Sequence, residues 1–223
     1  MRSAKSASAV VLPLYTAGEE VANSILHGIG TLGAIAGLVL LNLKLRGVLG
    51  GSGGNSLDIT AGILFAASMI GMFLASTLYH AIQHREAKRI LRILDHSVIY
   101  LFIAGTYTPL CLSGLKGAWG LSLFAVEWSL AALGITLYVL DNKALKKIEV
   151  AVYILMGWAI VVGFIPLIRA VPTASVVLLF AGGVAYSLGT VWYRKKNTHG
   201  SHIVWHCFVL LGALCHWFSI WLL

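Results

Sequence analysis

Val21–Leu43 reads VANSILHGIGTLGAIAGLVLLNL, twenty-three residues without a single Asp, Glu, Lys or Arg. Wound as an α-helix it would be about 34 Å long, enough to cross a hydrocarbon core of about 30 Å. Five more charge-free stretches follow: Ile59–His84, His96–Leu115, Val150–Ile168, Ala170–Tyr193 and Asn197–Leu223. A further stretch, Gly117–Leu140, is interrupted only by Glu127. None of them alternates polar and apolar residues as the strands of a membrane barrel would, so each reads as a helix. The pattern predicts an all-α integral membrane bundle of seven transmembrane helices. A tail over residues 1–20 precedes a single domain over 21–223.

Composition excludes the alternatives. Of 223 residues, 59% are hydrophobic and 11% charged, roughly half the charge of a soluble domain and too little to cover a water-facing surface. A soluble enzyme, a disordered chain and a disulfide scaffold are all excluded. Cys111, Cys207 and Cys215 lie in apolar stretches and read as buried thiols.

The cations are distributed unevenly between alternate connections. Arg2 and Lys5 precede the first span. Arg85, Lys88, Arg89 and Arg92 fall between the second and third, Lys143, Lys146 and Lys147 between the fourth and fifth, and Arg194, Lys195 and Lys196 between the sixth and seventh. The opposite side holds only Lys44, Arg46, Lys116 and Arg169. The positive-inside rule then predicts a cytoplasmic N-terminus, an external C-terminus and a multi-pass protein of the cell's inner (plasma) membrane. The net charge of +8 serves topology and attracts anionic lipid head groups at the cytoplasmic face; it does not point to nucleic acid. The short apolar run Ala7–Leu14, with Pro13 and then Glu19 and Glu20 after it, is not a convincing signal peptide, so the first span is expected to direct insertion.

Two glycine patterns carry no chemistry. Gly28-Ile-Gly30-Thr-Leu-Gly33 matches a dinucleotide fingerprint but sits inside an apolar span with no strand before it. Close helix packing through Gly33 and Gly37 is expected there instead. Gly50-Gly-Ser-Gly-Gly54 reads as a flexible outer loop.

Polar residues within apolar spans are costly and usually functional. Ser76-Thr-Leu-Tyr-His80 closes the second span, Asp95 opens the third, and His202-Ile-Val-Trp-His206 opens the seventh. The alternating topology places all three at one membrane depth. Ser76 and His80 share a helical face, as do His202 and His206. Three imidazoles with a fourth position open for water make the ligand pattern of a catalytic zinc site, and they do not exclude other transition metals. Asp95 could hold or deprotonate the water, and Ser76 could donate a hydrogen bond to substrate. A His-x-x-x-His pair also serves as an interhelical hydrogen-bonding device, and spacing alone does not choose between the two.

These residues resemble the bacterial haemolysin III-type proteins of the progestin and adiponectin receptor superfamily. The resemblance runs from Glu20 to the C-terminus: Glu20-x-x-Asn23-x-x-x-His27-x-x-Gly30, Ser76-x-x-x-His80, Leu94-Asp95-x-Ser97, Gly105-Thr-Tyr-Thr-Pro109, and His202-x-x-x-His206 followed by His216. It implies a zinc ion held by His80, His202 and His206, contacted by Asp95 through water, and a cytoplasmic amino terminus. Ceramidase-like members of the wider superfamily imply hydrolysis of a lipid amide or ester, with Asp95 as base, Ser76 as an oxyanion donor and a membrane lipid as substrate. The family name implies the alternative, a non-enzymatic cytolysin or regulator of membrane state with structural zinc.

The remaining polar residues read differently. His27, one turn after Asn23, and His216, nearly three turns beyond His206, are expected to make interhelical bonds. His96 points about 100° from Asp95, and His84 and His199 sit in loops. Glu127 matches no part of the family pattern: it is protonated, or it pairs with a group such as His27 or His216, or its helix is irregular there. Pro109 and Pro166 fall near outer span ends, where a kink could open the bundle. The oligomeric state is left open.

Overall fold

The computed structural model describes residues 15–50, 53–195 and 198–223, and among them every regular element is helical. Arg2, Lys5, the run Ala7–Leu14, Gly51, Ser52, Lys196 and Asn197 lie outside the described residues. In chain order the elements are α1 (Ala17–Leu45), α2 (Ser56–Ala81), α3 (Arg85–Pro109), α4 (Gly117–Val139), α5 (Lys143–Trp158), α6 (Phe164–Ala170), α7 (Thr173–Tyr193) and α8 (Ser201–Trp221). A π-helical turn over Leu110–Leu115 extends α3, and a 3₁₀ turn over Ala159–Gly163 joins α5 to α6. Among the described residues seven helical units are long and apolar enough to cross a membrane, with α5 and α6 making up the fifth.

Residues with short polar side chains start α1, α2 and α5. Thr16 caps α1 in a reciprocal box: its hydroxyl accepts from the Glu19 N–H, and the Glu19 carboxylate accepts from the Thr16 N–H at 2.8 Å. Asn55 does the same for α2 with Asp58, and Asn142 caps α5. The α1 start lies earlier than the first charge-free residue because two glutamates suit a helix N-terminus.

The basic connections are shorter than the charge pattern suggests. Only Ile82–His84 separates α2 from α3, because the His84 ring accepts from the Ala87 N–H and begins the helix there. Arg85, Lys88, Arg89 and Arg92 therefore lie on the opening turns of α3, and Lys143, Lys146 and Lys147 on those of α5. Asp95 accordingly sits in the third turn of α3, not at its start.

Two interior breaks shape the bundle. Proline lacks the N–H that continues a helix, and α3 passes at Pro109 into its π turn. Before Pro166, α5 tightens into the 3₁₀ turn. The freed backbone groups find a partner on α3: the Tyr107 hydroxyl donates toward the carbonyls of Met156 and Gly157 at 2.9 and 3.0 Å and accepts from the Ile160 N–H at 2.8 Å. In a hydrocarbon medium such repair is what makes a broken span tolerable.

The core lies along α2, α3 and α8, where Phe65, Met69, Met72, Phe73, Phe102 and Val209 interlock. Many other leucines, isoleucines and valines face outward, Leu155 and Val162 being 72% and 74% exposed, as a lipid-facing surface requires. On α1 the buried positions Glu20, Asn23, His27, Gly30, Ala34, Gly37 and Leu41 form one stripe. Gly30 meets Phe73 and Gly37 meets the Trp217 indole, where an added Cβ would stand 2.7 and 2.6 Å from those rings. Gly33 is exposed with open space around it, so the close approach runs through Gly30 and Gly37 and not through a Gly33–Gly37 pair. The starts of α1 and α8 are tied by the Gly200 N–H donating to Glu19 at 2.7 Å, and their ends by Lys44 donating to the Trp221 carbonyl. The two helices run side by side in the same direction.

Candidate metal centre

At the end of the bundle that carries most of the lysines and arginines, the last turns of α2 meet the first turns of α1 and α8. The i, i+4 spacing turns Ser76 and His80 inward from α2, and both are buried. From α8 the same spacing turns His202 and His206 toward them. His80, His202 and His206 each offer one nitrogen, and the three nitrogens lie within 4.8 Å of one another. The Nε2 atoms of His80 and His206 are 3.2 Å apart. Two imidazole nitrogens bound to one tetrahedral zinc at 2.0–2.1 Å would stand about 3.3 Å apart. His202 completes the group from the side, its ring 4.5 Å from that of His206 and stacked beneath Tyr15 at 4.8 Å. Burial pushes the Tyr15 phenol above its ordinary pKa, so it covers His202 as a neutral ring. The donors are neutral imidazole nitrogens with neither thiolate nor direct carboxylate, a set that fits zinc.

Behind the imidazoles stands a second row of buried groups. Glu20 receives His80 Nδ1 on one carboxylate oxygen at 2.6 Å and Lys88 Nζ on the other at 2.5 Å. On the far side, His206 Nδ1 and His27 Nε2 are 2.7 Å apart. His27 thus makes the interhelical bond expected of it, and its partner is a member of the three-histidine group. Sequence reasoning quoted Glu20 within a family pattern without giving it a role, and counted Lys88 as a surface cation. The available signal was the α1 stripe itself: Glu20, Asn23 and His27 repeat at helical spacing within an otherwise apolar face.

Asp95 and Ser76 line the same cavity as His202 and His206, about 880 Å³ in volume. The Ser76 hydroxyl is buried and faces the Asp95 carboxyl, so the two polar groups stand together in the cavity wall. The cavity continues between α3, α5, α7 and α8 as far as His216, fourteen residues along α8 from His202 and so about 21 Å deeper. Its deeper wall is largely apolar, with Phe102, Ile103, Ile160 and Phe180. His216 bonds the Leu179 carbonyl across to α7 at 3.1 Å, an interhelical contact as expected. His96 turns away to stack on Tyr138 and stands 3.4 Å from Glu149. His199 is solvated, its side chain 89% exposed. Glu127 is fully buried, neither carboxyl oxygen has a hydrogen-bond partner, and neither His27 nor His216 reaches it.

Seven apolar spans enclosing a three-imidazole group define a polytopic membrane protein with a site able to hold a metal ion. The chain belongs to the haemolysin-III related family, whose model matches residues 15–217. It is 41% identical over 207 residues to the hemolysin-3 homolog of Bacillus subtilis, covering 93% of this chain and 95% of that one. Hemolysin-3 of Bacillus cereus is 37% identical over 202 residues, covering 91% and 90%. The monocyte to macrophage differentiation factor of Homo sapiens is 29% identical over 215 residues, covering 92% and 84%. No solved structure matches the chain.

Proposed function

We propose that this membrane protein is a zinc-dependent hydrolase that cleaves an amide or ester bond of a lipid at the cytoplasmic edge of the bilayer. The observation that carries the reading is the three-histidine group of His80, His202 and His206, with His202, His206, Asp95 and Ser76 at the polar end of an elongated, largely apolar cavity. His80, His202 and His206 would hold the ion. When bound, it supplies Lewis-acid polarisation of a carbonyl and a lowered pKa for water. The Asp95 carboxylate takes the proton of the attacking water and returns it to the leaving amine or alkoxide. The Ser76 hydroxyl donates to the carbonyl oxygen as negative charge develops on it. The deeper cavity wall receives an acyl chain and excludes water from it, while the head group remains at the basic end, where cations also attract anionic lipid heads.

Purified protein in detergent is expected to release free fatty acid from ceramide or a related lipid. His206→Ala should abolish release, and Asp95→Asn should lower it by about 100- to 10,000-fold, the usual range for general-base catalysis. Turnover unchanged by His206→Ala would contradict the mechanism. The second reading is structural: the three histidines join α2 to α8, so an ion there would staple the bundle in a membrane regulator or a cytolysin of the kind that the relatives' names suggest. A chelator should then lower the melting temperature while no lipid is turned over.

A further inference from the structure

The buried row behind the imidazoles has a direction. Lys88, Glu20, His80, His206 and His27 form one continuous chain, with successive separations of 2.5, 2.6, 3.2 and 2.7 Å. Glu20 as a carboxylate can only accept, so a neutral His80 carries its proton on Nδ1 and leaves the lone pair on Nε2. That nitrogen points at His206.

With the three imidazoles neutral, two proton arrangements satisfy the rest. In the first, His27 donates to His206 Nδ1 and His206 donates from Nε2 to His80. A proton occupies the space between the two rings, and His206 has no lone pair to offer there. In the second, His206 donates from Nδ1 to His27, both Nε2 lone pairs face one point, and a cation is needed to hold them 3.2 Å apart. The second requires His27 to accept at Nε2 and carry its proton on Nδ1. That atom is buried without a partner, so the arrangement has a cost that a bound ion must offset.

We propose that Glu20 and His27 are positioning residues of the metal centre: Glu20, fixed by Lys88, sets the tautomer of His80, and His27 sets that of His206. The inference rests on the metal-centre reading above. It makes α1, which contributes no ligand, the element that orients ligands on α2 and α8. Carboxylate and imidazole partners of ligating histidines fix the ring and raise its basicity, and their loss typically costs 10–100-fold in affinity.

The test is zinc affinity of the full-length protein in detergent, read by competition with a chromophoric chelator, beside the melting temperature of the metal-free form. Variants are Glu20→Gln with Lys88→Met, which removes the carboxylate without stranding the ammonium, and His27→Phe, which keeps the ring but not the acceptor. Each should bind zinc about 10–100-fold more weakly, and the deficit should persist where the metal-free melting temperature matches wild type. Affinity within about twofold of wild type in either variant overturns the inference for that residue. Weakening that merely follows a loss of metal-free stability overturns it as well, showing α1 packing and not positioning. A wild type that takes up no zinc overturns this inference and the metal-centre reading together, whereas wild-type uptake with unaffected variants overturns this inference alone.

Discussion

Glu127 places a carboxyl in the middle of α4, where neither oxygen has a hydrogen-bond partner among the described residues. An uncompensated carboxylate in such a position would cost several kcal/mol, so removing its capacity for charge should cost little. Glu127→Gln is expected to change unfolding free energy by less than about 1 kcal/mol, and Glu127→Lys to lower it by several, both measured by thermal unfolding in detergent. A large loss from the glutamine variant would show that the charge has a partner after all. Individual residues differed in how far the sequence exposed them. The His-x-x-x-His pair and His80 were legible because a costly group repeated at helical spacing is conspicuous in an apolar run. Lys88 was not, because a lysine beside three arginines in a basic stretch is indistinguishable from its solvated neighbours until the fold turns it toward Glu20. The orientation of His96 followed from a 100° step around the helix, but its partner Glu149 lies on another span and had no local signature.

Charge gaps located the seven helical units because lipid tolerates few ionised groups. They could not mark helix ends, since caps such as Thr16, His84 and Asn142 start a helix among charges that the membrane interface accepts. Register within a helix was equally hidden. Gly28, Gly30, Gly33 and Gly37 all suit close packing, and only the buried stripe of α1 selects Gly30 and Gly37. Gly30→Leu should therefore lower stability by about 1–3 kcal/mol through the Phe73 clash. Gly33→Leu, facing open space, should stay within about 0.5 kcal/mol of wild type or gain slightly in helix propensity. Denaturation of the two variants in mixed micelles checks the contrast, and equal losses would restore the Gly33 face as an interface. The break between α5 and α6 depends on Tyr107, whose hydroxyl serves Met156, Gly157 and Ile160 at once. Tyr107→Phe is expected to cost about 1–3 kcal/mol by stranding buried backbone groups, measurable by the same unfolding assay.

For the whole molecule, the sequence supplies an orientation through its cations, and the fold places His80, Asp95 and His202 toward the end where they gather. In a cysteine-free background, an impermeant maleimide should label His199→Cys only from the cytoplasm and Val48→Cys only from outside. The reverse pattern would invert the membrane and put the pocket on the external face. The cavity was beyond sequence reasoning, because it arises where a broken fifth span leaves space against α3, α7 and α8. Everything functional nevertheless depends on whether three side chains from α2 and α8 share an ion. The most direct measurement is elemental analysis of protein purified without added metal, wild type beside His202→Ala. About one zinc per wild-type chain and almost none in the variant is the predicted result, given the tetrahedral nitrogen set. A metal-free wild type, or a variant that keeps its full complement, would contradict it.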